Sequence, residues 1–164
     1  MKTLYLLRHA KSSWDDPDLD DFDRPLNHRG KKDAPKMGKR LRKAGATISL
    51  ICSSPAARAI TTARLAGEEL SILKNAIREE RKLYHAGPDG ILAVVQSFSE
   101  DIDTAMIVGH NPGLTEFADE LLNEDLGNIP TAGIVGAKLN VATWKEVRWG
   151  SGKMEFYDYP KRED

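Results

Sequence analysis

Leu4-Tyr5-Leu6-Leu7-Arg8-His9-Ala10 is an apolar run of strand length that stops abruptly at an arginine and a histidine. Four apolar residues without polar alternation predict a strand covered on both faces, as in parallel sheets. Such a strand ends at the carboxyl edge of an open α/β sheet, where ligand crevices form. Arg8 and His9 are therefore delivered to the place where chemistry is expected. The design recurs further along the chain, where Ala105-Met106-Ile107-Val108 is followed by Gly109-His110-Asn111-Pro112-Gly113. Two of the four histidines stand just past the ends of apolar strands.

Outward from these strands, helix and strand signals alternate. Lys11 to Asp23 reads as a polar loop carrying Asp15, Asp16, Asp18, Asp20, Asp21 and Asp23. Asn27 is placed to cap a helix running through Met37 and Leu41, with Pro35 a kink or late start and Gly45 the end. Ile48 to Cys52 predicts a second strand, and Ser54-Pro55 a helix start reaching about Leu70, because serine caps and proline gives up no hydrogen bond there. A short strand or extended segment is expected around Lys82-Leu83. Gly87-Pro88 opens a helix with Ile91, Leu92, Val95 and Phe98 on one face, Ile102 to Val108 returns to strand, and Pro112 opens another helix. From Gly133 onward, Ile134 to Val141, Thr143 to Trp149 and Lys153 to Tyr159 read as consecutive strands. The fold class is α/β: a three-layer αβα sandwich with a mostly parallel central sheet and an antiparallel C-terminal meander, forming a single domain over residues 1–164.

Composition narrows the function classes. A chain of 164 residues buries enough surface to need neither disulfide nor metal staples. With 24 basic and 25 acidic residues the net charge of -1 gives no bulk reason to expect nucleic-acid or membrane partners. The lone Cys52 excludes an internal disulfide framework, and no apolar run approaches a signal-peptide core or a membrane span, so a cytoplasmic location is expected. Asp16, Asp18 and Asp20 have the alternate spacing that opens a calcium loop. Asp21 stands where that loop needs glycine and Asn27 where it needs glutamate, so no metal is expected.

Arg58 lies one turn into the helix opened by Ser54-Pro55, where backbone N–H groups favour an anion. Taken singly, each candidate has a structural reading: Arg8 and His9 pairing with carboxylates, Arg58 a surface salt bridge. Taken together, two arginines and two histidines at strand-to-helix junctions repel one another unless an anion sits among them. A dianionic phosphoryl group resolves that, since guanidinium donors match phosphate oxygens and a neutral imidazole nitrogen can attack phosphorus when its other nitrogen is held by an acceptor. Ser12 and Asn111, close behind the two histidines, are further substrate-binding candidates. Trp144, Trp149, Phe156 and Tyr157 read as sheet packing, whereas Trp14 stands in the loop beside the expected pocket.

Leu7-Arg8-His9-Ala10-Lys11-Ser12 resembles the RHG motif of the histidine phosphatase superfamily, the phosphoglycerate-mutase-like group, with Ala10 replacing the usual glycine. Arg24-Pro25-Leu26-Asn27-His28-Arg29-Gly30 resembles its proline-leucine-threonine segment, with Asn27 for threonine. Ser53-Ser54-Pro55-Ala56-Ala57-Arg58-Ala59-Ile60-Thr61-Thr62 resembles its serine-to-arginine-alanine-threonine motif, and Val108-Gly109-His110-Asn111-Pro112 its second-histidine motif. The four come in the family's order, and the short length is similar to the SixA-type phosphohistidine phosphatases.

The resemblance implies that His9 attacks phosphorus and forms a phosphohistidine that water hydrolyses, while Arg8, Arg58 and His110 hold the phosphoryl oxygens without a metal or other cofactor. Many relatives have a glutamate as proton donor in the segment corresponding to Arg81 to Ala86. Here Leu83 is followed by Tyr84 and His85, and His85 becomes the candidate donor. A phosphoramidate leaving group protonates easily, so the missing glutamate leans toward phosphohistidine. The expected partner is a phosphorylated protein of the histidine-phosphotransfer type. The alternatives are a phosphatase for small phosphate monoesters and a phosphate-recognition module without turnover.

Overall fold

The computed structural model describes residues 1–162. Six strands form one sheet: β1 (Lys2–Arg8), β2 (Leu50–Ser53), β3 (Ile77–Glu79), β4 (Thr104–Gly109), β5 (Ile134–Leu139) and β6 (Gly152–Asp158), in the order β3-β2-β4-β1-β5-β6. β1 pairs in parallel with β4, β4 with β2 and β2 with β3, while β5 runs antiparallel to both β1 and β6. Reversal of this single strand gives the mostly parallel sheet with an antiparallel edge that the sequence predicts.

Both faces are covered, which explains the unbroken apolar run in β1. Leu4 and Leu6 join Ala105 and Ile107 of β4 against α3 (Pro88–Gln96) and α4 (Gly113–Leu122). Leu7 joins Met106 and Val108 on the other face, against α1 (His28–Lys43) and α2 (Ala57–Glu69). Successive residues of one strand thus feed two cores.

The helix signals translate into local structure with one exception. The Asn27 side chain caps α1 by accepting from the Gly30 N–H at 2.8 Å, Pro35 lies inside α1, and Pro88 opens α3 at its first turn. The exception is α2, which begins two residues after Pro55, with Ala56 rather than Ser54 at its cap position and no side-chain capping bond. Two strand expectations are corrected. Lys82-Leu83 falls in a 3₁₀ turn (Arg81–Leu83) and the strand lies earlier, as β3. Thr143 to Trp149 contains a 3₁₀ turn (Trp144–Glu146) that buries Trp144 and Val147, so the meander has two strands. Trp144 donates from its indole to the Ile102 carbonyl at 2.7 Å.

The pairing register aligns the strand ends. Arg8 is opposite Gly109 and Ser53 opposite Val108, so His9, Ser54 and His110 leave the sheet side by side at its carboxyl edge. Among the described residues no helix is long and apolar enough to cross a membrane.

Candidate active site

His9 and His110 are both buried, and their ring centroids are 5.1 Å apart. His9 Nδ1 lies 2.8 Å from the Ala10 carbonyl oxygen, which can only accept. Nδ1 therefore carries the proton, and Nε2 is left with its lone pair. Ala10 is itself fixed, its N–H donating to Thr62 Oγ1 at 2.9 Å. Burial holds the His9 pKa down to about 4, with Arg58, Arg8 and Arg24 adding to the effect and the Ala10 carbonyl opposing it. The ring is neutral at physiological pH.

His110 Nε2 lies 2.8 Å from Ser54 Oγ. That hydroxyl also accepts from the Ala56 N–H at 3.3 Å and has no other acceptor among the described residues, so the arrangement that uses its hydrogen has it donating to His110 Nε2, with the imidazole proton on Nδ1. Burial, reinforced by the charges of His9 and Arg58, holds the His110 pKa at about 3. Among the described residues two buried side-chain polar atoms lack a hydrogen-bond partner: His110 Nδ1 and Arg8 Nε. Both are donors, and both belong to the four residues singled out from sequence.

Arg8, His9, Ser12 and Arg58 line one open pocket of about 290 Å³ together with Lys11, Trp14, Arg24 and Thr131. Arg8 is braced by a 2.8 Å bond from Nη1 to the Ile129 carbonyl. Arg58 projects from the first turn of α2 and is held twice by Asp21, with Nη1 donating to the backbone oxygen at 2.6 Å and Nη2 to Oδ2 at 2.9 Å. Asp21 also accepts from Arg24 Nη1 at 2.9 Å and Tyr84 Oη at 2.7 Å. Burial pushes the Asp21 carboxyl up, but the bonds from Tyr84 and Arg58 prevail and hold it well below the usual carboxylate range. Of the six loop aspartates, Asp21 is the one that reaches the pocket.

The remaining candidates are placed less centrally. Asn111 spends its side chain on protein: Nδ2 donates to Asn128 Oδ1 and the Ile129 carbonyl, and Oδ1 accepts from the Thr115 N–H and hydroxyl. It braces the loop behind Arg8. His85 is exposed, with a left-handed φ of 61°, and packs on Tyr84 at 3.9 Å between centroids. Tyr84 in turn meets His110 edge-on at 5.5 Å.

The family model for the histidine phosphatase superfamily (branch 1) matches residues 4–83. The uncharacterized protein ML1117 of Mycobacterium leprae is 32% identical over 168 residues, covering 94% of this chain and 100% of that one. A structure named as phosphohistidine phosphatase SixA from Nakamurella multipartitia matches with a TM-score of 0.86 at 25% identity, covering 98% of this chain and 97% of that one. One so named from Agrobacterium tumefaciens matches with a TM-score of 0.82 at 26% identity, covering 97% and 98%. The chain belongs to the histidine phosphatase superfamily. Within it the likeness is to the SixA type. The fold alone is shared with a mycobacterial glucosyl-3-phosphoglycerate phosphatase, at 16% identity, a TM-score of 0.72 and coverage of 97% and 99%.

This histidine phosphatase has pocket residues that sequence reasoning passed over. Arg24 is 7% exposed; its Nε donates to the Ser13 carbonyl at 3.2 Å, Nη2 donates to Ser12 Oγ, and the guanidinium lies 3.3 Å from the centre of the Trp14 ring. Its signal was its place at the head of the Arg24-to-Gly30 motif. Ser54 has the sequence signature of a helix cap, yet its hydroxyl lies 2.8 Å from His110 Nε2. Gly30 explains the end of that motif: a Cβ there would stand 2.2 Å from the Lys11 carbonyl oxygen. That oxygen accepts from the Asn27 N–H at 3.0 Å, and so ties the start of α1 to the loop behind His9.

Proposed function

We propose that the chain is a metal-independent phosphatase that acts through a covalent phosphohistidine on His9, with phosphohistidine on a protein as its substrate. The observation that carries this is the pair of buried, unpartnered donors, Arg8 Nε and His110 Nδ1, beside a neutral His9 whose Nε2 lone pair is free. Leaving a buried donor unmatched costs about 1–3 kcal/mol. Both costs are relieved by one tetrahedral anion bound between the two side chains.

His9 Nε2 attacks phosphorus in line, the bond from phosphorus to the substrate imidazole nitrogen breaks, and that nitrogen takes a proton. Arg8, Arg58 and His110 donate to the equatorial oxygens as charge redistributes; such donors act without reorganising because the fold already holds them. Water then attacks the phospho-His9 and releases inorganic phosphate. The guanidinium donors supply the charge stabilisation for which other phosphatases use a metal ion. An imidazole leaving group is protonated readily, which fits a rim that offers Tyr84 and the exposed His85 rather than a buried carboxylic acid.

Acid quenching after mixing with radiolabelled phosphoramidate tests the covalent step. Label is expected on the wild-type chain and absent from His9→Ala. Label-free wild type would leave only phosphate recognition without turnover. Rates on a phosphorylated histidine-phosphotransfer domain, set beside a panel of phosphorylated metabolites, separate the protein substrate from small phosphate monoesters.

A further inference from the structure

Helix α1 carries eight Lys and Arg residues and one Asp, whereas the other 148 residues carry 16 basic against 24 acidic. Lys32, Lys36, Lys39 and Lys43 recur at helical spacing and are all exposed. Like charges at i,i+3 and i,i+4 destabilise a helix, by about 0.2–0.5 kcal/mol per pair. The ion pairs of α1 use other positions, namely Arg29 with Asp33, Arg40 with Asp158 and Arg42 with Glu69. Lys36 donates to the Pro160 carbonyl at 2.9 Å. Among the described residues Lys32, Lys39 and Lys43 have no counter-charge.

This stripe is continuous with the phosphatase pocket. Lys11 and Thr131 line that pocket and also an adjoining cavity of about 220 Å³ in which Arg29, paired with Asp33, and Lys161 keep the balance of charge positive. Tyr159 and Pro160 wall this second cavity, and neighbouring Asp158 walls a third of about 570 Å³ over Lys32, Lys39 and Lys43. A cationic track thus runs from His9 past Lys11 and Arg29 along α1. The pocket's other flank is the acidic loop, where Asp15, Asp16, Asp18 and Asp20 are exposed.

We propose that the α1 track is a docking surface for an acidic face of the phosphoprotein substrate. This rests on the proposed phosphohistidine phosphatase activity. Charge complementarity orients the partner: its acidic side lies over α1, because the aspartate loop repels the opposite orientation. Electrostatic docking of this kind acts mainly on encounter rate and fades with salt.

Synthetic peptides test it, each with one phosphohistidine, a Gly/Ser spacer and a tract of six Glu or six Gln, built in both chain directions. The Lys32-to-Lys43 stripe spans about 16 Å, which spacers of roughly four to ten residues reach. At low salt kcat/KM is expected to be about tenfold higher for the best Glu peptide than for its Gln counterpart. The ratio should fall to about 1 in the K32E/K39E/K43E variant, and likewise for wild type at about 0.5 M salt. A wild-type ratio near 1 at low salt overturns the proposal, as does a ratio that survives charge reversal in a variant with wild-type circular dichroism. Hydrolysis of the Gln peptide reports separately on the phosphohistidine activity. Should neither peptide be hydrolysed, that activity fails, and the Glu-to-Gln ratio is read instead from fluorescence anisotropy of labelled unphosphorylated peptides, with the same two criteria.

Discussion

Acidification from pH 7 to 4.5 should remove several kcal/mol of stability through the two buried histidines. In the unfolded chain each titrates near 6.5, whereas in the folded protein His9 is held to about 4 and His110 to about 3. Between those values the unfolded chain binds more protons than the folded one, so stability is fully present above pH 6.5 and is lost as pH falls. Integrated from pH 7 to 4.5, the loss is about 5 kcal/mol for the two together, on the order of half from each. That is comparable to the whole stability of many domains. Because the rings are 5.1 Å apart, the pair titrates as a unit and the sum is the measurable quantity. Asp21, held low in the folded state, adds its own loss only at lower pH, as its carboxylate takes up a proton. Urea midpoints at pH 7, 6, 5 and 4.5 measure the slope in wild type, His9→Asn and His110→Asn. Each variant should lose about half of it, and millimolar phosphate should flatten the wild-type curve by favouring the protonated rings. A wild-type stability that stays level from pH 7 to 5, or a slope equally steep in both variants, would refute the reasoning.

Asp21→Asn removes the charged anchor of Arg58 but leaves the bond from Nη1 to the backbone oxygen of residue 21, so the guanidinium is loosened rather than lost. Deleting such a donor outright costs on the order of 10²- to 10³-fold in kcat, and half-anchoring it should cost about tenfold; steady-state rates on phosphoramidate check this, and an unchanged kcat contradicts the anchoring role. Gly30→Ala forces the Cβ against the Lys11 carbonyl, so α1 or the loop behind His9 must shift. Overpacking of this kind costs about 1–3 kcal/mol, read as a lower urea midpoint with reduced kcat, whereas Gly45→Ala meets no neighbour and tests only its left-handed backbone.

The sequence was most legible where one physical cause dominated. The centres of β1, Leu4 to Leu7, and of β4, Ala105 to Val108, are apolar without alternation because both faces are covered, and that pattern alone located their polar ends. Asn27 and Pro88 were readable because capping and a fixed φ are local properties. Thr143 to Trp149 misled because Trp144 and Val147, three apart, suit one face of a 3₁₀ turn as well as a strand edge, and only tertiary burial decides. Asp21 could not be distinguished among six aspartates, since the choice depends on the path of the loop over α2 rather than on any neighbouring residue. Ser54 reads from local sequence as a helix cap alone, and its contact with His110 depends on the register of β2 beside β4, which no neighbouring residue reveals.

The charge balance explains why so many cations tolerate one another here. With both imidazoles neutral, the formal charges at the pocket are Arg8, Lys11, Arg24 and Arg58 against Asp21, an excess of positive charge that a doubly negative phosphoryl group offsets in large part. Protonating either histidine would add to that excess, and in the case of His9 would also remove the lone pair that the proposed reaction needs. The depressed histidine pKa values and the Asp21 contacts to Arg24 and Arg58 both limit the positive charge of the pocket. A pocket cationic enough to hold a dianion must keep its nucleophile uncharged, and here burial of the ring with the surrounding guanidiniums lowers its proton affinity while the Ala10 carbonyl fixes which nitrogen stays free.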